Sequence, residues 1–166
     1  MKFNVADTIV HRHQETGYTC GVAAVAMLLG VRENDLKGHL RWTVKGTCNH
    51  DVYRFLNNHV AKSHYVHLNE DYYNIIERLT TLSLQYPFYC SGTYLWKNPG
   101  RGRPITRHHA SLFADGMIYD PAEYREVDPA SYETTFNKRL TFRTIIIVEV
   151  ERRGFLKNFG KHEVAA

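Results

Sequence analysis

Three side-chain types that together perform nucleophilic catalysis stand in order along this chain: a cysteine, a histidine and an aspartate. Cys20 opens the stretch Cys20–Leu29 (CGVAAVAMLL), which is apolar on every side. A thiol in the first turn of a buried helix meets unpaired backbone N–H groups and the positive end of the helix dipole, and both favour the thiolate. Gly21 follows without a side chain, which leaves room beside the sulfur. Upstream, Gln14 lies in a polar stretch (HQETGYT) that reads as loop. Its amide, turned back toward the helix start, would join the Cys20 N–H as a second donor to a developing oxyanion. Position alone does not separate a nucleophile from a packing residue, because free cysteine is among the most buried residue types.

A nucleophilic thiol needs a base within hydrogen-bond reach and a third group to orient it. The segment His108–Pro121 (HHASLFADGMIYDP) offers both. Asp115-Gly116 is a dipeptide favoured in two-residue hairpin turns. Such a turn sets Ser111 opposite Asp120 and His109 opposite Ala122. Residues two apart on a strand share a face, as do directly opposed residues, so His109, Ser111 and Asp120 project from one side. His108 points the other way. The parity selects His109 as base and Asp120 as its orienter, whereas a one-residue bulge would select His108.

These residues need elements to hold them. Cys20–Leu29 has the pattern of a buried helix, with Thr19 at the N-cap and Gly30 past its end. Short helical stretches are expected at Asn34–Leu40 and Pro129–Asn137. Asn49–Val60 carries Val52, Phe55, Leu56 and Val60 at helical spacing, and a helix capped by Asn69 carries Tyr72, Ile75, Ile76 and Leu79. Pro87–Trp96 reads as a strand, Asn98–Thr106 as a loop, and Thr141–Glu151 as a long strand centred on Ile145–Val148. Helices come first and strands later, which gives an α+β class with a mainly antiparallel sheet.

The length, 166 residues, predicts a single domain over 1–166, with a core of about 9–151 and a polar tail at 152–166. A hydrophobic fraction of 43% and a charged fraction of 23% exclude a disordered chain, a collagen-like fibre and a disulfide-dense miniprotein. No apolar run approaches the ~20 residues of a membrane span. Three cysteines and no signal-peptide pattern at Met1–Val10 predict free thiols, a reducing compartment and a cytoplasmic location. Cys48 and Cys90 are expected to be buried packing residues, and Tyr72, Tyr73, Tyr86, Tyr89 and Tyr94 to pack in the core and sheet, with a substrate platform as the lesser reading. The net charge of +4 arises partly from Lys97–Arg107 and partly from Lys138–Lys161. Nucleic-acid binding through these patches is the lesser reading beside a solvated surface. The Arg101–Arg107 loop would sit at a cleft rim, where it would attract acidic substrates unless it is merely solvated. Trp42 and Trp96 carry no signal. Among the ten histidines, His11-x-His13 and His64-x-x-His67 form short pairs without the further ligands of a closed zinc site, so neither metal nor cofactor is expected. His11 and His13 are expected in a loop near the entrance to the site.

The stretch QETGYTCGVAAVAMLL (Gln14–Leu29) resembles the Gln…Cys-Gly-x-Ala motif of the double-glycine leader peptidases, the bacteriocin-processing branch of the papain-like cysteine peptidases. RHHASLFADGMIYDPAEY resembles that family's His strand followed by Asp-Pro, and the intervening segment is similar to its helical linker. The resemblance spans roughly Gln14–Tyr124. It implies a papain-like fold, with a buried Cys-bearing helix packed on an antiparallel sheet. It also implies Cys20 as nucleophile, His109 as general base and acid, Asp120 as its orienter and Gln14 as oxyanion donor. The chain departs from the family in having Thr19 where an acidic residue commonly precedes the cysteine. It contains no Gly-Gly pair at which it would process itself.

The resulting expectation is a cysteine peptidase that cleaves a peptide or isopeptide bond in a peptide or protein substrate through an acyl-enzyme at Cys20. Acyl transfer, deamidation and a non-catalytic binding or effector role, phage- or secretion-linked, remain alternatives on the same scaffold. The sequence sets neither the substrate nor an oligomeric state.

Overall fold

The structure is a computed structural model that describes residues 2–41, 43, 46–68, 72–96 and 105–150. Trp42, Asn69, the basic stretch 97–104 and the tail at 152–166 lie outside the described residues, as do the side chains of Tyr72, Tyr73 and Trp96. The described helices are α1 (Cys20–Leu29), α2 (Glu33–Leu36), α3 (Asn49–His59), α4 (Tyr72–Gln85) and α5 (Tyr132–Phe136). The strands are β1 (Ser63–His67), β2 (Phe88–Trp96), β3 (Ile105–Ala114), β4 (Met117–Tyr119) and β5 (Lys138–Val148). All described pairings are antiparallel, in the order β1-β5-β2-β3-β4. This is the expected α+β class.

Helix α1 has the bounds its sequence implies, because every residue from Gly21 to Leu29 is buried. Each fully buried Val or Leu contributes about 1.5–3 kcal/mol, so the helix is held by its surroundings on all sides. Gly30 ends it in the left-handed region at φ 66°, where a side chain would be strained. Thr19 departs from expectation. It occupies the N-cap position, but its Oγ1 accepts from Thr16 N and donates to Thr16 O, each at 3.1 Å, and caps nothing. The start of α1 is therefore not closed off by its own cap residue.

The two sheet faces carry separate cores. Leu112, Ala114, Ile146 and Val148 pack with α1 and α3, including Val52, Phe55 and Leu56. Phe113, Phe88, Cys90 and Ile145 face the other way, against Ile75 and Leu79 of α4 and Tyr132 and Phe136 of α5. Helix α2 is shorter than the expected Asn34–Leu40, because the chain turns from Lys37 onward through Gly38, a poor helix former. Strand β1 has no counterpart in the sequence reading. Its sequence, SHYVH, is short, half-polar and buried fully only at Ser63, as suits an edge strand paired to β5. Where β2 meets β5 the register shifts at Ser91/Gly92, and Arg143 is the extra residue of a bulge. A Cβ on Gly92 would lie 1.8 Å from Thr141 O, so glycine is obligatory there. Among the described residues, no helix is long and apolar enough to cross a membrane.

Candidate active site

The hairpin that joins β3 to β4 determines which histidine enters the site. Asp115 and Gly116 both have positive φ (54° and 78°), the signature of a primed two-residue turn. The turn is pinned to α4, since Asp115 N donates to Ser83 O at 2.8 Å and Gly116 N to Ser83 Oγ at 3.1 Å. Leu112 pairs with Tyr119, Phe113 with Ile118 and Ala114 with Met117, with no bulge. With this register His109, Ser111 and Asp120 are buried, and His108 is exposed.

Strand β4 ends at Tyr119, so Asp120 leaves the ladder and turns its carboxylate onto His109. His109 Nε2 and Asp120 Oδ1 are 2.6 Å apart, with the two residues 8% and 1% exposed. Asp120 Oδ1 also accepts from Ala122 N at 2.8 Å, and Oδ2 accepts from the Tyr132 hydroxyl. The Asp120 backbone carbonyl accepts from His11 Nε2 at 2.8 Å, and Pro121 O accepts from Gln14 N at 2.8 Å. The loop before α1 is thereby stitched to the end of the hairpin. Tyr94 lies edge-on to the His109 ring, with centroids 5.2 Å apart.

Each charged group is balanced by the next. Burial alone would raise the pKa of Asp120, but the positive His109 and the hydrogen bonds from His109, Tyr132 and Ala122 hold it at about 2. Burial would likewise depress His109, yet Asp120 and then Cys20 raise it to about 10. For Cys20, burial opposes the thiolate, while hydrogen bonding to and the charge of His109, with backbone contacts from Ala110 and Gly21, lower its pKa overall. With Nε2 committed to Asp120, Nδ1 is the ring atom left for the sulfur. The arrangement sets a thiol with a lowered pKa against an imidazole backed by a buried carboxylate, and such a setting favours the thiolate, the nucleophilic form of cysteine.

Cys20 and His109 line a hollow of about 830 Å³, whose wall also includes Gly21, Thr47, Asn49 and Tyr89. A second hollow of about 590 Å³ adjoins it and is lined by Gln14, Thr16, Tyr94, Glu123 and Lys138. The two share Gly17, Arg107, His108 and His109. Gly21 permits the close approach that its size implies, because a Cβ there would fall 2.9 Å from Thr47 Cβ and 3.2 Å from the Tyr89 hydroxyl. The approaching atoms are side chains, and Tyr89 in turn donates to Asn49 Oδ1 at 3.3 Å.

Gln14 stands on the His109 side of this cleft. Its Nε2 donates to Thr16 O at 2.7 Å, and its Oε1 is buried without a hydrogen-bond partner. The amide donor therefore faces its own loop. Cys48 corrects an expectation: it is exposed and lines the same hollow as Cys20, because it precedes α3 and lies outside that helix's apolar stripe. Cys90 is buried, as expected. His13 lines the second hollow and Arg107 both, so these two do border the cleft.

Two contributors escape a sequence reading. Tyr132 follows Asp120 by a full loop and turn, and no spacing rule links it to the carboxylate. Glu33 reaches back from α2 so that its Oε1 accepts from Glu15 N at 2.9 Å; burial, partly opposed by bonds from Glu15 and Thr19, raises its pKa. An acidic side chain thus supports the loop just ahead of Cys20 from outside the local sequence. Among the described residues, no three His, Cys, Asp or Glu side chains are grouped to hold a metal. His64 bonds Glu149 at 2.6 Å, and His67 lies 3.5 Å from Thr144 Oγ1. Compared with known proteins, the chain matches no family model and no curated sequence.

Proposed function

We propose that the protein is a papain-like thiol hydrolase acting on an amide bond of a peptide or protein. The observation that carries this reading is the continuous chain Cys20–His109–Asp120, buried at its carboxylate end and open to a cleft at its thiol end. The Cys20 sulfur attacks the carbonyl carbon and forms a C–S bond, and the carbonyl oxygen takes the negative charge. The Cys20 N–H donates to that oxygen. Gln14 is the second donor, which requires its amide to turn from Thr16 O toward the thiol when substrate binds. His109 gives its proton to the leaving amine as the C–N bond breaks, leaving a thioester. His109 then takes a proton from water, whose oxygen attacks the thioester and releases the acid and the thiol. Asp120 keeps the imidazole in one tautomer and offsets its charge throughout, and Tyr132 and Ala122 fix Asp120 in turn.

A single domain in a reducing, cytoplasmic setting suits this reading, since oxidation of Cys20 would end the reaction. Amine acceptors in place of water would make the same acyl-enzyme a transferase. The test is incubation with a defined peptide mixture followed by mass spectrometry of new termini. Cleavage is expected from the native chain and not from Cys20→Ala or His109→Ala. Cleavage undiminished in a folded Cys20→Ala chain would overturn the assignment.

A further inference from the structure

We propose that the larger arm of the cleft selects an anionic segment of the substrate, held by Arg143 and Arg107 beside Cys20. This rests on the hydrolase reading above and gives it a substrate class: acidic peptides.

The two arms differ in charge. The 590 Å³ hollow is charge-balanced: Lys138 is hydrogen-bonded to Glu123, and Glu15 is also in its wall. The 830 Å³ hollow is lined by Arg107, His108 and Arg143, with no Asp or Glu among its described lining residues. Among the described residues, neither Arg107 nor Arg143 has a carboxylate within 4.0 Å. Among the described residues, two arginines therefore line one concavity with no carboxylate paired to either. Its size falls within the roughly 300–1,000 Å³ of ligand sites. A carboxylate is what the planar fork of an arginine recognises best.

The backbone is built to deliver one of these cations. Arg143 is the additional residue where β5 runs past Ser91 and Gly92, and bulges of this kind re-aim a side chain. Gly92 is the residue whose Cβ would strike Thr141 O, so the irregularity is written into the sequence. Ser91, Gly92 and Thr93 form the hollow's wall beside Arg143. Arg107 stands two residues before His109 on β3, about 7 Å along the strand. An acidic side chain bound between them would lie within a few residues of the bond presented to Cys20. Both arginines border solvent, so their pull is screened over a Debye length of about 8 Å at physiological salt.

The experiment compares alkylation of Cys20 by iodoacetate, an anion, and by iodoacetamide, its neutral counterpart, with each cysteine quantified by mass spectrometry. The readout is the ratio of the two rate constants. In low salt this ratio is expected to fall at least threefold in Arg143→Gln and in Arg107→Gln, and about tenfold in the double variant. Arg143→Lys should retain most of it, and 0.5 M salt should compress the native ratio toward that of the double variant. A peptide set in which Glu replaces Gln at successive positions should show higher kcat/KM for the Glu members, an advantage lost in the double variant. A ratio unaffected by both substitutions, while iodoacetamide still labels Cys20 rapidly below pH 7, would overturn the anion site and leave the hydrolase reading standing. An ordinary thiol profile with iodoacetamide would remove the hydrolase reading, and the substrate class with it.

Discussion

Cys20 and Cys90 are chemically identical and both largely withdrawn from water, yet their surroundings drive them in opposite directions. Cys90 lies inside the sheet, opposite Ser111 and Ile145 and packed among Phe88, Phe113 and Phe142, and burial pushes its thiol well above the ordinary range. Cys20 also feels burial, but it sits at an uncapped helix start against a positive imidazole, and the balance reverses. The difference lies in donors and charge. A buried sulfur becomes a nucleophile only where fixed donors and a counter-charge replace the water it has lost. Asp120 supplies that counter-charge at one remove, by keeping His109 protonated inside the protein.

The largest change should come from removing the charge that separates the two thiols. In His109→Ala, Cys20 loses its principal partner and should move toward the free-thiol value of about 8.5, at which roughly 0.3% is thiolate at pH 6. Alkylation of Cys20 at pH 6 should then slow by about 100-fold, toward the inertness of Cys90. Asp120→Asn acts one step back. Burial then dominates His109, its pKa falls, and labelling at pH 6 should drop about tenfold with the fold retained.

The same linkage appears in stability, read most cleanly in Cys20→Ala, where the thiol no longer titrates. In the native chain His109 is raised from 6.5 to about 10 by Asp120 and then Cys20; without the thiol the Asp120 part remains, so the His109 contribution is complete below pH 6.5 and is lost as pH rises through the folded pKa. Asp120 is lowered from 3.8 to about 2, so its contribution is complete above pH 3.8 and lost as pH falls toward 2. Thermal melts of that variant should peak between about pH 4 and 6.5, and the alkaline decline should disappear when Asp120→Asn is added.

Cys90→Ser tests the other side of the comparison. A hydroxyl in that apolar site should cost about 1–3 kcal/mol in denaturant titrations, while Cys20 labelling stays unchanged. Tyr132→Phe should have the smallest effect. Removal of one of the three donors to Asp120 should shift the pH profile of Cys20 labelling by a few tenths of a pH unit, and a profile identical to the native one would make Tyr132 a packing residue only.

Much of this site was legible because it depends on local geometry. Asp115-Gly116 sets a two-residue turn, and the turn sets strand parity, which separates His109 from His108. The run Cys20–Leu29, with Gly30 behind it, encodes a buried helix and therefore a thiol at its mouth. Contributors from distant segments left no local trace. Tyr132, Glu33 and the Arg143 bulge act through tertiary contacts that neither periodicity nor spacing encodes. Cys48 misleads because composition says only that cysteines tend to be buried, whereas its place just ahead of α3 exposes it. Strand β1 escapes because an edge strand buries too little of SHYVH to show an alternating pattern.

The central claim is that Cys20 is a thiolate held by His109. Its most direct test is the iodoacetamide rate at each cysteine of the native chain from pH 4 to 10. The account predicts that Cys20 labels with an apparent pKa well below 8.5 and is already fast at pH 6, while Cys90 stays protected until the protein unfolds. A Cys20 curve centred near 8.5, and unmoved by His109→Ala, would contradict it.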